Sequence, residues 1–369
     1  MLYIPSIFFL IMGLFQRKQT VLAFAFLSFL WLLYAFSSGN ADFGIHLTKF
    51  ENYRDFSSQT ELIYSALMWL FNSLGLNYRG FLIFDSLFVC AAYYYFVKRN
   101  TNYSNFVLAL YFIYPFCMDV TMVRYTLAFS VVLYGLESLW KKDSVRKFIV
   151  CVVVAFLIHS SMVLMLLLLL PYYFNNGTIK RVTLFGVLGL LVGGSALKRF
   201  FEIVSGISLF NIGTKSSIVL KSSMIKYDSD VWLRYGFKFL LLACIMFFVF
   251  SQISKFIKNI SSVLDRDDIV KVKMIEFAMR LNIASLLVIP LIMFSADVFR
   301  FQLSISIVFY VAVANYLELK RKFKPTRNNM FVLWCVVVYA LLGLYMWVLN
   351  GPNIDSVWKP LFNNNVLFG

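Results

Sequence analysis

Residues 123–174 read VRYTLAFSVVLYGLESLWKKDSVRKFIVCVVVAFLIHSSMVLMLLLLLPYYF. The apolar run at 123–140 stops on KKDSVRK at 141–147, as a membrane-crossing helix does when a basic loop holds its end in the cytoplasm. The next apolar run, 147–174, starts on the same basic cluster and is followed by IKR at 179–181. A single crossing cannot end on the side where it began. The run therefore reads as two short spans, 147–158 and 161–174, meeting at His159-Ser160-Ser161. Each half is short for a full crossing. A helix broken at membrane depth needs protein or water to satisfy its freed backbone groups, so the break implies a cavity around His159. One long tilted helix is the alternative for this run.

The same alternation extends in both directions. Further apolar runs cover 2–15, 20–37, 79–97, 103–118, 182–197, 237–254, 275–296, 303–319 and 329–349, which makes roughly twelve transmembrane helices in all. Basic clusters QRK (16–18), KR (98–99), KFIK (255–258) and KRKFK (320–324) occupy every second gap and mark those gaps as cytoplasmic. With 61% hydrophobic residues among 369, too little polar surface remains to cover a soluble globule. The expected fold class is all-α, a polytopic membrane protein forming one integral domain over 1–369. The net charge of +16 sits in the gaps, so it reads as orientation signal and no nucleic-acid partner is expected.

Two long segments then face the exterior, 38–78 and 198–236. The first contains TELIYSALMWLFNSLGL (60–76), whose apolar residues recur at helical spacing, the pattern of an interfacial helix. The second is rich in Ser, Lys and Gly and reads as an external loop. The opening MLYIPSIFFLIMGLF lacks a basic start and a small-residue cleavage signal, and is expected to remain as the first span. Five cysteines, in apolar segments and without a CxxC pair, read as small core hydrophobes. Trp232, Trp347, Trp358 and the tyrosines of AAYYYF read as interface belts.

Oriented this way, Asp119, Arg124, His159, Asp297 and Arg300 fall at span ends or breaks on one side of the membrane. Charges there are costly and usually mark a site. Arg124, one turn inside its helix, offers a permanently charged fork suited to phosphate, or pairs with Asp119. His159 is a candidate proton carrier, or a packing residue. Asp297 and Arg300 are spaced to pair with each other, while Arg300 opposite Arg124 would supply the second cation a diphosphate needs. The first external loop adds Asp42, His46, Lys49, Glu51, Arg54, Asp55 and Glu61, among which a carboxylate could deprotonate a hydroxyl. Glu137 with Lys141 and Glu276 with Arg280 read as structural i,i+4 pairs. Asp85, inside a span, is expected to hydrogen-bond a neighbouring helix or to stand in reserve as a site residue.

Four segments together resemble the EpsG/Wzy family of exopolysaccharide and O-antigen repeat-unit polymerases. They are NADFGIHLTKFENY with TELIYSALMWLFNSLGL in the first loop, VRYTLAFSV, IHSSMVLM, and ADVFRFQLSISIVFY. Their order and spacing agree with the family. Tyr125 stands where the family has glutamine, Asn40 where it has glycine and His46 where tyrosine is common. The resemblance implies a GT-C-like membrane glycosyltransferase in a bacterial plasma (inner) membrane, its active site facing the periplasm or exterior. Such an enzyme transfers a glycan from its undecaprenyl diphosphate carrier to another lipid-linked repeat unit, building O-antigen, capsule or exopolysaccharide. Arg124 and Arg300 would hold the diphosphate. Asp42, His159 and Glu61 would activate or position the acceptor, with Asp119, Asp297 and Tyr125 in support. Neither cofactor nor metal is expected. The partners are the lipid-linked donor and acceptor, membrane lipids and, as the resemblance allows, a chain-length regulator protein. A lipid-linked oligosaccharide flippase or other polysaccharide transporter is the alternative, and a sugar acyltransferase with a histidine base a further one.

Overall fold

The computed structural model describes residues 2–52, 61–141, 143–193, 232–292, 296–323 and 330–367, and among these every regular element is helical. Four helices are long and apolar enough to cross a membrane: Tyr78–Asn100, Arg234–Ile260, Asp297–Phe323 and Met330–Leu349. Shorter apolar helices include Tyr3–Phe15, Thr20–Ala35, Leu62–Ser73 and Ser104–Ile113. Large apolar side chains such as Phe24, Trp69, Phe84 and Trp334 lie exposed on these helices. Such surface belongs in lipid rather than water, and the chain is a membrane protein.

The Arg300–Phe323 helix forms the centre, buried from Phe301 to Lys320. Polar staples tie it to its neighbours: Gln302 Nε2 donates to the Phe239 carbonyl at 3.0 Å, and the Tyr310 hydroxyl donates to the Tyr114 carbonyl at 2.9 Å. Ser306 Oγ lies 2.7 Å from the Tyr339 hydroxyl. In an apolar interior such bonds and close packing take over the role that hydrophobic exclusion plays in water. Close packing is clearest where Val123–Lys141 meets Val145–Ile158. A Cβ on Gly135 would stand 2.9 Å from Phe148 Cα, so only glycine lets the two backbones approach this far.

The break at His159 is present. Val145–Ile158 ends there, His159 is extended at φ −148° and ψ 117°, and a 3-10 helix follows over Ser160–Leu169. The run at 103–118 is likewise interrupted, with Ser104–Ile113 separated from Phe116–Thr121 at Pro115. Two helices start earlier than their apolar runs. Asp265 caps Arg266–Ser285 by accepting from the Asp268 amide at 2.9 Å, and Asn175 caps Asn176–Val192 through the Thr178 amide at 2.9 Å. An N-cap satisfies otherwise orphaned amides and so extends a helix into polar sequence that hydropathy alone would leave as loop.

The helix expected within 60–76 is present as Leu62–Ser73, preceded by a second helix, Phe43–Glu51. The loop expected over 198–236 lies outside the described residues except for a π-helical turn at Trp232–Gly236. Arg54 and Asp55 also lie outside them.

Several readings of single residues change. Trp347 is 1% exposed and stacks on Phe299 at 4.3 Å, so it is core and not belt. Tyr93 of the AAYYYF run is buried too. Cys244 is exposed, against the expectation of a core thiol. Glu137 does pair with Lys141, at 3.5 Å, and with Arg99 at 2.8 Å. Glu276 and Arg280 form no such bridge, and Arg280 Nε is buried without a hydrogen-bond partner among the described residues. Asp85 meets Thr20–Ala35 as expected, accepting from the Tyr34 hydroxyl at 3.3 Å.

Candidate active site

Glu61 immediately precedes the Leu62–Ser73 helix and has φ 55° and ψ 73°. A left-handed backbone is uncommon for a residue with a side chain, and where it occurs the surroundings must hold it. What holds it here is visible in the side chain. The Glu61 carboxylate is 5% exposed and accepts from Arg124 Nη1 at 2.7 Å. Its other oxygen lies 3.8 Å from His159 Nδ1. Arg124 enters at the second position of Val123–Lys141, and His159 enters from the helix break.

The residue after Arg124 extends the group. The Tyr125 ring stands edge-on to His159 at 5.7 Å. Its hydroxyl donates to the Arg300 carbonyl at 2.9 Å and lies 2.7 Å from Ser304 Oγ. A hydroxyl has one proton, so Ser304 donates to Tyr125 when Tyr125 donates to Arg300. The Arg300 guanidinium lies over the same tyrosine ring at 5.9 Å and pairs with Asp297 at 2.9 Å. Tyr125 thereby links two stretches of chain that begin with arginines.

His159 is oriented by its own turn. The Ser161 amide donates to Nδ1 at 3.3 Å, and Ser161 Oγ lies 2.9 Å from the same nitrogen. An amide can donate only to an unprotonated ring nitrogen, so the neutral ring carries its proton on Nε2. Ser161, the second serine after His159, is therefore part of its setting.

Behind this group, Tyr64 stands one helical turn past Glu61, its ring 5.9 Å from the Arg124 guanidinium. His46, 2% exposed, faces Tyr64 edge-on at 6.0 Å. Burial, with Arg124 as the next cause, lowers the His46 pKa to about 3, which keeps the ring neutral. Tyr64 and Ser304 were not singled out by sequence. For Tyr64 the signal was its place three residues after Glu61, one turn along the same helix.

The other expected site residues stand elsewhere. Asp119 does not pair with Arg124: it is 3% exposed and accepts from the Tyr111 and Tyr93 hydroxyls at 2.8 and 3.1 Å. Its carbonyl accepts from Thr126 at 2.8 Å, which ties the turn to the start of the arginine-bearing helix. Asp42 heads Phe43–Glu51, and among the described residues no hydrogen bond or ion pair joins its carboxylate to Glu61, Arg124 or His159. Among the described residues no group of three His, Cys, Asp or Glu side chains is arranged to hold a metal ion.

Chemically, the assembly offers one shielded carboxylate, one oriented imidazole and two guanidinium groups that are 24% and 20% exposed. Each arginine is balanced by an acid at rest. An incoming anion can compete for the guanidinium groups, and the Glu61 carboxylate it displaces becomes a stronger proton acceptor once its cation is engaged elsewhere.

A helical membrane protein that gathers an acid, a histidine and two arginines from helix ends distant in sequence is the class this fold and site define. The chain belongs to the EpsG family, which matches residues 20–362, and so to polysaccharide biosynthesis. No curated protein and no solved structure matches it.

Proposed function

We propose that this chain is a membrane glycosyltransferase that polymerises undecaprenyl-diphosphate-linked oligosaccharide repeat units. The observation that carries the reading is the Glu61 carboxylate set between Arg124 at 2.7 Å and His159 at 3.8 Å, with Arg300 lying over the ring of Tyr125.

In the reaction an acceptor sugar hydroxyl attacks the anomeric carbon of the donor glycan. The bond from that carbon to the diphosphate oxygen breaks, and the hydroxyl proton passes to a base. Arg124 and Arg300 take up the negative charge that develops on the departing diphosphate, where cations already in place contribute most. Glu61, released from Arg124 by the diphosphate, accepts the proton, and His159 orients the acceptor or relays that proton. Tyr125 and Asp297 hold Arg300, and Asp119 braces the turn before Arg124. Asp42 is a second candidate base, placed at the margin. The chemistry asks for no cofactor.

The site opens to the exterior in this reading. Arg124 and Arg300 begin their helices, whereas the same helices end on Lys141 and on Lys320-Arg321-Lys322. Basic ends stay in the cytoplasm, which puts the arginines at the opposite leaflet. Roughly twelve spans remain the topology that fits the apolar runs.

The test compares Arg124→Lys and Arg300→Lys with wild type in cells that retain the protein, reading polymer length and lipid-linked intermediates. A point charge cannot reproduce the two-pronged grip of guanidinium on phosphate. Both variants are expected to shorten or abolish polymer and to accumulate single lipid-linked repeats on the outer leaflet. Repeats stranded on the inner leaflet would indicate a flippase, and wild-type polymer from both variants would remove the arginines from the mechanism.

A further inference from the structure

The opposite end of the same helices holds a polar cavity of about 320 Å³. Trp140 lines it from the last turn of Val123–Lys141, and Asn315 from the Arg300–Phe323 helix. From Arg124 to Trp140 the helix rises about 24 Å, so this cavity is separate from the Glu61 site.

Two buried side chains among those lining this cavity carry unsatisfied polar atoms. Trp140 is 3% exposed and Asn315 0%, yet among the described residues Trp140 Nε1 and both polar atoms of the Asn315 amide lack a hydrogen-bond partner. Buried groups of this kind are rarely left unmet in a native fold. The indole can only donate, while the amide both donates and accepts.

The walls are cationic. Lys98, Arg99, Lys141 and Lys271 contribute to the lining, with Asp267 as the acid among them. Glu137 engages Arg99, and Glu318 engages Lys271 at 2.9 Å, which leaves one positive charge in surplus. An adjoining recess that shares Trp140 and Lys141 adds Arg266 and Lys273 against Asp143.

We propose that this cavity binds a phosphate ester whose alcohol part carries a free hydroxyl. Its phosphate oxygens accept from Trp140 and the Asn315 amide beside Lys98 and Lys141, and its hydroxyl donates to the Asn315 oxygen. A glycerol phosphate has this chemistry, whether as the headgroup of an anionic phospholipid or as a free solute. At the basic helix ends, where headgroups lie, either source has access.

The test titrates the purified full chain in neutral detergent with phosphatidylglycerol, phosphatidylcholine and glycerol 3-phosphate, following the thermal unfolding midpoint. A saturable rise with phosphatidylglycerol alone supports the lipid source, and a rise with glycerol 3-phosphate as well shows that the headgroup suffices. Trp140→Phe keeps the ring packed against Phe96 and Phe277 and removes the donor; it is expected to raise the half-saturating concentration about tenfold. Lys98→Gln, at an exposed position, is expected to raise it as well. The proposal is overturned if neither phosphate-bearing probe saturates, if phosphatidylcholine acts equally, or if Trp140→Phe binds as wild type does.

Discussion

Arg124 and Glu61, 63 positions apart in the chain, meet through Nη1 and Oε2 at 2.7 Å. The pair joins the first-loop helix to a helix of the central bundle, and it explains why a glutamate in a left-handed backbone is retained at that joint. Little of the carboxylate reaches solvent, so the attraction is weakly screened and each partner depends on the other. Removing either from a buried pair strands the remaining charge, at a cost of about 3–5 kcal/mol.

For Glu61→Gln, the isosteric amide still accepts from Arg124 but no longer takes a proton. Loss of a general base costs about 10²–10⁴ in rate. We expect polymer synthesis per folded protein to fall by at least the lower figure; the melting midpoint falls as well, because the amide keeps shape and one hydrogen bond but leaves the Arg124 charge uncompensated. Polymer formation near the wild-type rate would exclude Glu61 as the base.

At His159, asparagine and glutamine separate position from proton chemistry. The asparagine oxygen can replace Nδ1 as acceptor for the Ser161 amide and so keep the helix break, whereas glutamine reaches toward Nε2 without holding that turn. If His159 carries a proton, both variants should lose about 10² or more in polymer yield. Full polymer yield from both would return His159 to a packing role.

His46 makes stability depend on pH. Its pKa in the fold is about 3, below the ordinary 6.5, through burial and then Arg124, with Lys49 and His159 acting in the same direction and Glu61 opposing. Between those two values the unfolded chain binds a proton that the folded chain refuses. The contribution of His46 is therefore full above pH 6.5 and declines as pH falls toward 3, by up to about 1.4 kcal/mol per pH unit. Melting midpoints measured across this range should fall less steeply in His46→Phe than in wild type. Equal slopes would show that His46 is already solvated.

Gly135 should not tolerate a side chain. A Cβ there would stand 2.9 Å from Phe148 Cα and 3.0 Å from Cys151 Sγ, so Gly135→Leu is expected to cost about 1–3 kcal/mol. Gly189, where an added Cβ meets nothing within 4 Å, serves as control: Gly189→Ala in its helix should be neutral or gain up to about 1 kcal/mol. Comparable melting midpoints for Gly135→Leu and wild type would contradict the close approach.

Much of the architecture was legible locally. Each apolar run carries a helix because an unbroken row of nonpolar side chains has no other way to satisfy its backbone in lipid. The break at His159 could be read from two basic flanks and a length that fits neither one crossing nor two comfortable ones. Helix starts were read less well, because the caps at Asp265 and Asn175 depend on single side chains in polar sequence. Among the candidate site residues, Arg124, His159 and Arg300 were recognisable as costly polar groups in apolar company, and Glu61 as one acid among several in the first loop. Which of them touch was not.

The sequence by itself determined a helical membrane protein, its basic ends and the polar residues held at span termini, since those follow from the transfer cost of each residue and its neighbours. Only the tertiary structure decided that Glu61, rather than Asp119, receives Arg124. The same holds for Tyr125, which bridges to Arg300, and for Trp347, which is core rather than interface. Such pairings depend on how helices from distant parts of the chain pack against one another, and short-range hydrophobic pattern carries no record of that packing.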